Sequence, residues 1–141
     1  MNRIFNISDA ASLALHAVVY LARRPDAVAK AHEIAACLNA SEAHMSKVLQ
    51  SLVRAGFAKS TRGPLGGFSL DCDPKEISLL DVYEATQGRL ETTDCLFPTR
   101  VCGRSQCIFG NLLASMSEKL RDHMERTKLD QVSDTFEGAC A

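Results

Sequence analysis

Three of the six cysteines in this 141-residue chain crowd into one short stretch. Cys95, Cys102 and Cys107 are spaced C-x6-C-x4-C within thirteen residues. Pro98 and Gly103 lie between them and favour turns over regular structure. An irregular loop can bend three thiolates toward one point, which a helix or strand cannot, and thiolates are the ligands that iron–sulfur clusters take. Arg100 and Arg104 stand between the sulfurs, where they would offset the negative charge of such a group. Other chemistries fit the same residues. Zinc also takes thiolates, although its usual C-x2-C pairs are absent. A metal-free thiol switch would need only two of the three to oxidise to a disulfide, and three thiols without special chemistry are a further alternative. The remaining cysteines read as bland: Cys37 packs beside Leu38 in a helix, Cys72 ends a strand, and Cys140 belongs to a loose tail.

A second constellation suits nucleic acid. From Ser41 onward, Met45, Val48, Leu49 and Leu52 recur at helical spacing and predict one buried face. The opposite face then carries Ala43, Ser46, Lys47, Gln50 and Arg54, with Glu42 and His44 in the exposed first turn. Short and polar side chains of this kind reach base edges in a major groove, here Ser46, His44 and Gln50, while Lys47 and Arg54 suit phosphates. Downstream, Lys59 and Arg62 flank a glycine-rich tip beginning at Gly63, and such a tip delivers arginine to a minor groove. A polar helix face and a tight turn without any partner would look similar from spacing alone.

The elements around these residues give them a frame. Ser8 caps a helix, with Asp9 in its first turn and apolar residues at 10, 13, 14, 17, 18 and 21; Pro25 stops it. A shorter pattern (Ala31, Ile34, Ala35, Leu38) predicts a second helix ending near Asn39, and Ser41 caps the third, which Gly56 terminates. Phe57–Arg62 and Phe68–Leu70 read as two strands joined by the turn Gly63-Pro64-Leu65-Gly66-Gly67. Ser78 with Asp81 forms a capping box for a fourth helix that Gly88 ends. Beyond the cysteine stretch, a long helix over roughly 108–126 aligns Phe109, Leu112, Leu113, Met116 and Leu120 as an apolar stripe, and Thr127 begins a short final helix through Phe136. The order predicts a mainly α fold with a small β-hairpin wing: a winged helix-turn-helix in residues 1–88, a cysteine loop in 89–107, and a dimerisation helix and tail in 108–141.

A formal charge of −1 hides an uneven distribution. Residues 1–67 hold eight Lys/Arg against four Asp/Glu, and residues 68–141 hold eight against thirteen. A basic first half allows a local DNA-facing patch in a chain that is neutral as a whole. The residues from Met1 to Ile7 lack a secretory pattern, and no apolar run approaches the roughly 20 residues that a membrane helix requires. The expectation is a cytoplasmic protein with reduced thiols and no membrane partner. Neither a nucleophile–base pair nor a phosphate-cradling motif is present, which argues against an enzyme. A protein-interaction module is the alternative of another class.

The run Glu33-Ile34-Ala35, Ser41, Leu52-Val53-Arg54-Ala55-Gly56 and Arg62-Gly63-Pro64-Leu65-Gly66-Gly67-Phe68 resembles the winged-helix signature of the Rrf2 family of transcription regulators. The resemblance spans essentially the whole chain, and the Arg-Gly-Pro-x-Gly-Gly wing is its most specific piece; Leu65 replaces a frequent glycine. It implies a homodimer on a palindromic operator in double-stranded DNA, paired through the long helix, acting as a repressor that senses redox state, nitric oxide or iron–sulfur supply. It also implies an iron–sulfur cluster, two-iron or four-iron, on Cys95, Cys102 and Cys107, although C-x5-C-x5-C is the more usual family spacing. In relatives the fourth ligand is a histidine just after the last cysteine, or an acidic or histidine side chain on the first helix of the other subunit. Ile108-Phe109-Gly110 offers no histidine, and Ser12 stands where one relative has aspartate. His16 and Asp9 are the candidates that remain.

Overall fold

A computed structural model describes residues 7–102, 107–138 and 140. The expectations for residues 1–6 and for Gly103 and Arg104 lie outside the described residues. Helix α1 (Asp9–Ala22) starts where the Ser8 hydroxyl accepts the Ala11 N–H, satisfying a donor that the first turn leaves free. It ends at a cap on Arg23, two residues before Pro25. Helix α2 (Ala31–Cys37) opens with the Glu33 carboxylate accepting the Lys30 N–H at 2.8 Å, and α3 (Glu42–Arg54) opens with Ser41 accepting the His44 N–H at 3.1 Å. Asn39, at φ 52°, turns the chain from α2 into α3.

The expected apolar face of α3 is buried: Met45, Leu49 and Leu52 are fully enclosed and Val48 nearly so. They pack in one cluster with Ala14, Ala17, Val18 and Leu21 of α1 and with Ile34 and Ala35 of α2. At about 25 cal/mol per Å² of apolar area removed from water, this cluster supplies the main drive that holds the three helices at a fixed angle. Gly56, at φ 88°, then turns the chain into the hairpin.

Strands β1 (Ala58–Thr61) and β2 (Gly67–Leu70) pair antiparallel, with Ala58 opposite Leu70 and Thr61 opposite Gly67. The hairpin does not stand free. Ala29 and Phe68 exchange both backbone hydrogen bonds, at 2.7 and 2.8 Å, which pins β2 to the α1–α2 linker. A Cβ at Gly67 would lie 2.5 Å from the Ala29 carbonyl oxygen, so only glycine allows this approach.

Helix α4 (Leu79–Gln87) carries the expected capping box, Ser78 and Asp81 each accepting the other's N–H, and Gly88 ends it. Helix α5 runs over Leu112–Arg126, four residues shorter at its start than the sequence suggested. Gly110 is left-handed at φ 60°, its N–H bonds back to the Cys107 carbonyl, and Leu112 bonds back to Phe109. These tight turns leave Ile108 and Phe109 outside the helix. The short α6 (Leu129–Val132) and a 3-10 turn (Ser133–Phe136) follow, and Lys128, not Thr127, occupies the N-cap. A bridge between Ser78 and Lys128 ties this end back to the start of α4. Ala11, Leu80, Tyr83, Leu90 and Met124 form a second, smaller core where α1, α4 and α5 meet. Among the described residues no helix is long and apolar enough to cross a membrane.

Candidate functional site

Helix α3 exposes most of the side that the sequence suggested, with two departures. Ser41, Glu42, Ala43, Lys47, Gln50 and Arg54 are exposed, while His44 and Ser46 are half-buried beside the core face. Strand β1 packs on α3, and Lys59, Arg62 and Gly63 of the hairpin are exposed. Lys47, Arg54, Lys59 and Arg62 thus offer four cations to solvent from the two elements, and none of them forms an ion pair among the described residues. The wing tip is closed by the Gly66 N–H donating to the Gly63 carbonyl at 2.9 Å. Lys30 Nζ donates to the Pro64 carbonyl at 2.8 Å, so a residue preceding α2 fastens the tip from 34 positions away. Sequence reasoning missed this contact, because nothing local marks Lys30 as a wing residue.

The three loop cysteines share one small cavity of about 210 Å³, lined also by Asp94, Arg100 and Asn111. Cys95 Sγ accepts the Phe97 N–H at 3.5 Å and Cys107 Sγ accepts the Phe109 N–H at 3.4 Å. Cys102 is exposed, the other two half-buried. Arg100 does not point free charge at the sulfurs: its guanidinium pairs with Asp94 at 2.8 Å on an open surface. Among the described residues no three His, Cys, Asp or Glu side chains converge as a metal site.

The loop is held from behind. Ser117 on α5 is only 4% exposed; its hydroxyl accepts the Thr93 N–H at 3.2 Å and donates to the Thr93 carbonyl at 3.0 Å. Thr93 in turn accepts the Cys95 N–H through its own hydroxyl. A serine in the middle of an apolar stripe gave no hint of this role. Arg121 of α5 bridges Glu84 of α4 at 3.1 Å, so the loop, α5 and α4 are linked in series.

The two candidates for a fourth ligand lie elsewhere in the subunit. Asp9 is exposed in the first turn of α1. His16 Nδ1 lies 2.6 Å from the Ser12 carbonyl, and its ring meets the edge of Phe136 at 6.2 Å. Neither lines the cysteine cavity of its own chain. The apolar stripe divides as well: Leu113 is buried, Met116 and Leu120 are half-buried, and Leu112 and the preceding Ile108 and Phe109 are 51%, 90% and 42% exposed.

Two cysteines depart from their expected roles. Cys37, at the end of α2, and Cys140, in the tail, form a disulfide with their Cα atoms 5.3 Å apart. The tail is therefore tied down, and Cys37 does not simply pack; 103 residues separate the pair, a distance that hides it from any reading of local spacing. Cys72 keeps a free thiol, and burial together with Asp71 and Asp73 pushes its pKa up to about 11.

A three-helix unit with a capped reading helix and a pinned hairpin is a winged helix-turn-helix. The profile of the Rrf2 family, described as iron-dependent transcriptional regulators, matches residues 7–135, and the chain belongs to that family. It is similar to YwgB of Bacillus subtilis, grouped by name with the HTH-type transcriptional regulators: 31% identical over 124 residues, 86% of this chain and 80% of that protein. The HTH-type transcriptional regulator NsrR of Bacillus subtilis is 27% identical over 73% of this chain and 76% of its own. Among solved structures, CymR, the global cysteine regulator of B. subtilis, superposes with a TM-score of 0.72 at 22% identity, covering 92% of this chain and 97% of its own. T. potens IscR gives 0.67 at 18% identity, covering 96% and 91%. The chain is a DNA-binding transcription regulator and not an enzyme.

Proposed function

We propose that the chain is a dimeric cytoplasmic repressor that reads a palindromic operator, and that an iron–sulfur cluster on Cys95, Cys102 and Cys107 governs its occupancy. The observation that carries this reading is the single cavity shared by the three cysteines, two of whose sulfurs accept main-chain N–H bonds. Three thiolates with such donors suit either a two-iron or a four-iron cluster, and the family's iron-dependent description points the same way. Bound there, the group supplies sensitivity to redox state, nitric oxide or iron–sulfur supply. His16 or Asp9 of a second copy is the candidate for the remaining ligand position.

Residues 1–88 read DNA in this account, 89–107 form the ligand loop, and 108–141 pair the subunits. Ile108, Phe109 and Leu112 leave an apolar patch in water at the start of α5, which a second copy would cover. Twofold symmetry would then set two α3 helices ~34 Å apart, one turn of duplex. On each, Ser41, Ala43, His44, Ser46 and Gln50 would face the groove, with Lys47, Arg54, Lys59, Arg62 and the Gly63 backbone on phosphates and the minor groove. The state of the loop reaches α3 through Thr93–Ser117, Arg121–Glu84 and the packing of α4 on α1 and α3. A coupling of about 1–3 kcal/mol along that path changes operator affinity roughly 5–150-fold.

Anaerobic purification tests the reading. Brown protein with iron and acid-labile sulfide is expected, and Cys102→Ser should lose the colour together with regulated binding. Colourless, metal-free protein prepared under nitrogen that holds its promoter undiminished refutes it. One observation favours a metal-free thiol regulator instead: no three ligand side chains converge among the described residues. That reading expects peroxide, and not iron removal, to change operator binding.

A further inference from the structure

Cys37 closes α2 and stands directly before the turn into the reading helix, and Cys140 reaches it from beyond residue 135, where the family match ends. We propose that this pair is a reversible redox site, oxidised by hydroperoxides, that fastens the tail onto the helix-turn-helix independently of the 95–107 loop. The inference rests on the DNA-binding reading for its consequence and for the reducing compartment in which the bond would be reversible; the pairing of the two sulfurs does not depend on it.

Four observations carry it. The Cα separation of 5.3 Å lies within the 4.4–6.8 Å that a disulfide requires, so the bond forms without moving the backbone. Both cysteines are half-buried and border an open cavity of about 680 Å³, so a small oxidant or reductant can reach the sulfurs. Arg23 and Arg24 line the same cavity, so the approach to the sulfurs carries positive charge. The carboxylate of Glu33, also in the lining, is engaged by the Lys30 N–H. Lastly, a regulator that meets DNA works where the chromosome is, in a compartment whose thiols are kept reduced. Disulfides there are transient and redox-sensing more often than structural.

The chemistry balances with one hydroperoxide. One thiolate attacks the terminal peroxide oxygen; an S–O bond forms, the O–O bond breaks, and the alkoxide or hydroxide leaves and takes a proton. The second sulfur displaces hydroxide from the resulting sulfenic acid, so that S–S forms, S–O breaks and water departs. Two thiols are oxidised by two electrons, and the peroxide is reduced by two. A small dithiol reverses the bond by exchange.

Oxidation ties the tail, at Cys140, to the end of α2. Phe136 already packs against Tyr20 and His16 of α1, so the disulfide adds a covalent anchor to a tail that is also held there. The tethered residue abuts the Leu38–Ala40 turn, whose backbone sets the angle between α2 and α3.

Full-length protein, reduced and desalted under nitrogen, is treated with hydrogen peroxide, alkylated and mapped by mass spectrometry. Cys37 and Cys140 are expected to leave the alkylatable pool together as one crosslinked peptide pair and to return with dithiothreitol. Cys140→Ser should give no such crosslinked peptide at the same dose. Operator affinity of the wild type should then change at least threefold more between reduced and peroxide-treated states than that of Cys140→Ser, which keeps all loop cysteines. Two free thiols after peroxide, a bond that dithiothreitol does not open, or equal responses of the two proteins overturns the proposal. Failure of both proteins to bind DNA in either state would count against the DNA reading, while the peptide map would still decide the pair.

Discussion

Gly66→Ala should cripple the wing, and the reason can be worked from the backbone around it. A methyl group at this position would overlap the Thr61 carbonyl oxygen and lie 2.8 Å from the Arg62 carbonyl carbon and 2.9 Å from the Gly63 oxygen. All three are main-chain atoms of the same tight turn, so no side chain can swing aside. Overpacking of this kind costs about 1–3 kcal/mol. Opening the turn also forfeits the Gly66–Gly63 hydrogen bond, worth about 1 kcal/mol. The sum, roughly 2–4 kcal/mol, is a large share of a stability of about 5–15 kcal/mol. Gly63→Ala is the internal control. Gly63, unlike Gly66, has a positive φ, 103°, but nothing lies within 4 Å of its added methyl, so only the backbone conformation costs, about 1–2 kcal/mol. Urea melts of both variants and fluorescence anisotropy with an operator duplex at fixed salt provide the assay. Gly66→Ala should melt earlier than Gly63→Ala and lose more operator affinity, because Arg62 sits beside the forced opening. Equal midpoints, or the reverse order, would refute the assignment of the tip geometry.

Ser41→Ala removes the acceptor of the His44 N–H and should cost about 0.5–2 kcal/mol in a denaturant melt, whereas Ser41→Gly should cost only a few tenths. Ser117→Ala leaves the half-buried Thr93 N–H and carbonyl without their partner, at up to about 1–3 kcal/mol, and hydrogen exchange should rise around residues 93–95 while α3 keeps its protection. Cys72 should alkylate at pH 8 about a hundredfold more slowly than an ordinary thiol, since its pKa is raised from 9.0 to about 11 and only the thiolate reacts. The fold holds the Cys72 proton more tightly than the open chain does. Its contribution to stability is therefore complete below about pH 9 and is lost as pH rises toward 11, which a Cys72→Ala comparison of melts across that window would reveal.

Much of the fold was legible in the sequence because its signals are local. The Ser41 cap, the spacing of Met45, Val48, Leu49 and Leu52, and the Ser78–Asp81 box each act within one or two helical turns, and each is where the spacing places it. The start of α5 was misjudged because the apolar stripe continues through Ile108 and Phe109, while Gly110 and the Cys107 turn decide the backbone. Periodicity records which side chains are apolar and says little about where the chain stops being helical. The site was legible in part, since the three cysteines do share a cavity. What remained hidden is long-range: Lys30 on Pro64, Ser117 on Thr93, and Cys37 with Cys140. Contacts across 24 to 103 residues depend on how helices pack, and no local pattern announces them.

The two thiol sites approach the reading helix from different sides. On the proposed readings the loop would act through α5 onto α4, which packs on α1 and α3, and the tail pair would act through α2, which packs on α3. Helix α1 is common to both routes, because it meets α3, α4 and the 3-10 turn that carries Phe136. Its core side is lined with Ala11, Ala14 and Ala17, all fully enclosed. Small side chains let neighbouring helices approach closely, and such a close-packed interface has few alternative arrangements into which a push from one side can relax. On the proposed routes, a displacement entering at α4 would therefore pass to α3 through α1. If both routes move the same helix, their effects on operator affinity should not add. The excess measured in a double-mutant cycle between Ser117→Ala and Cys140→Ser would report the rigidity of α1 itself.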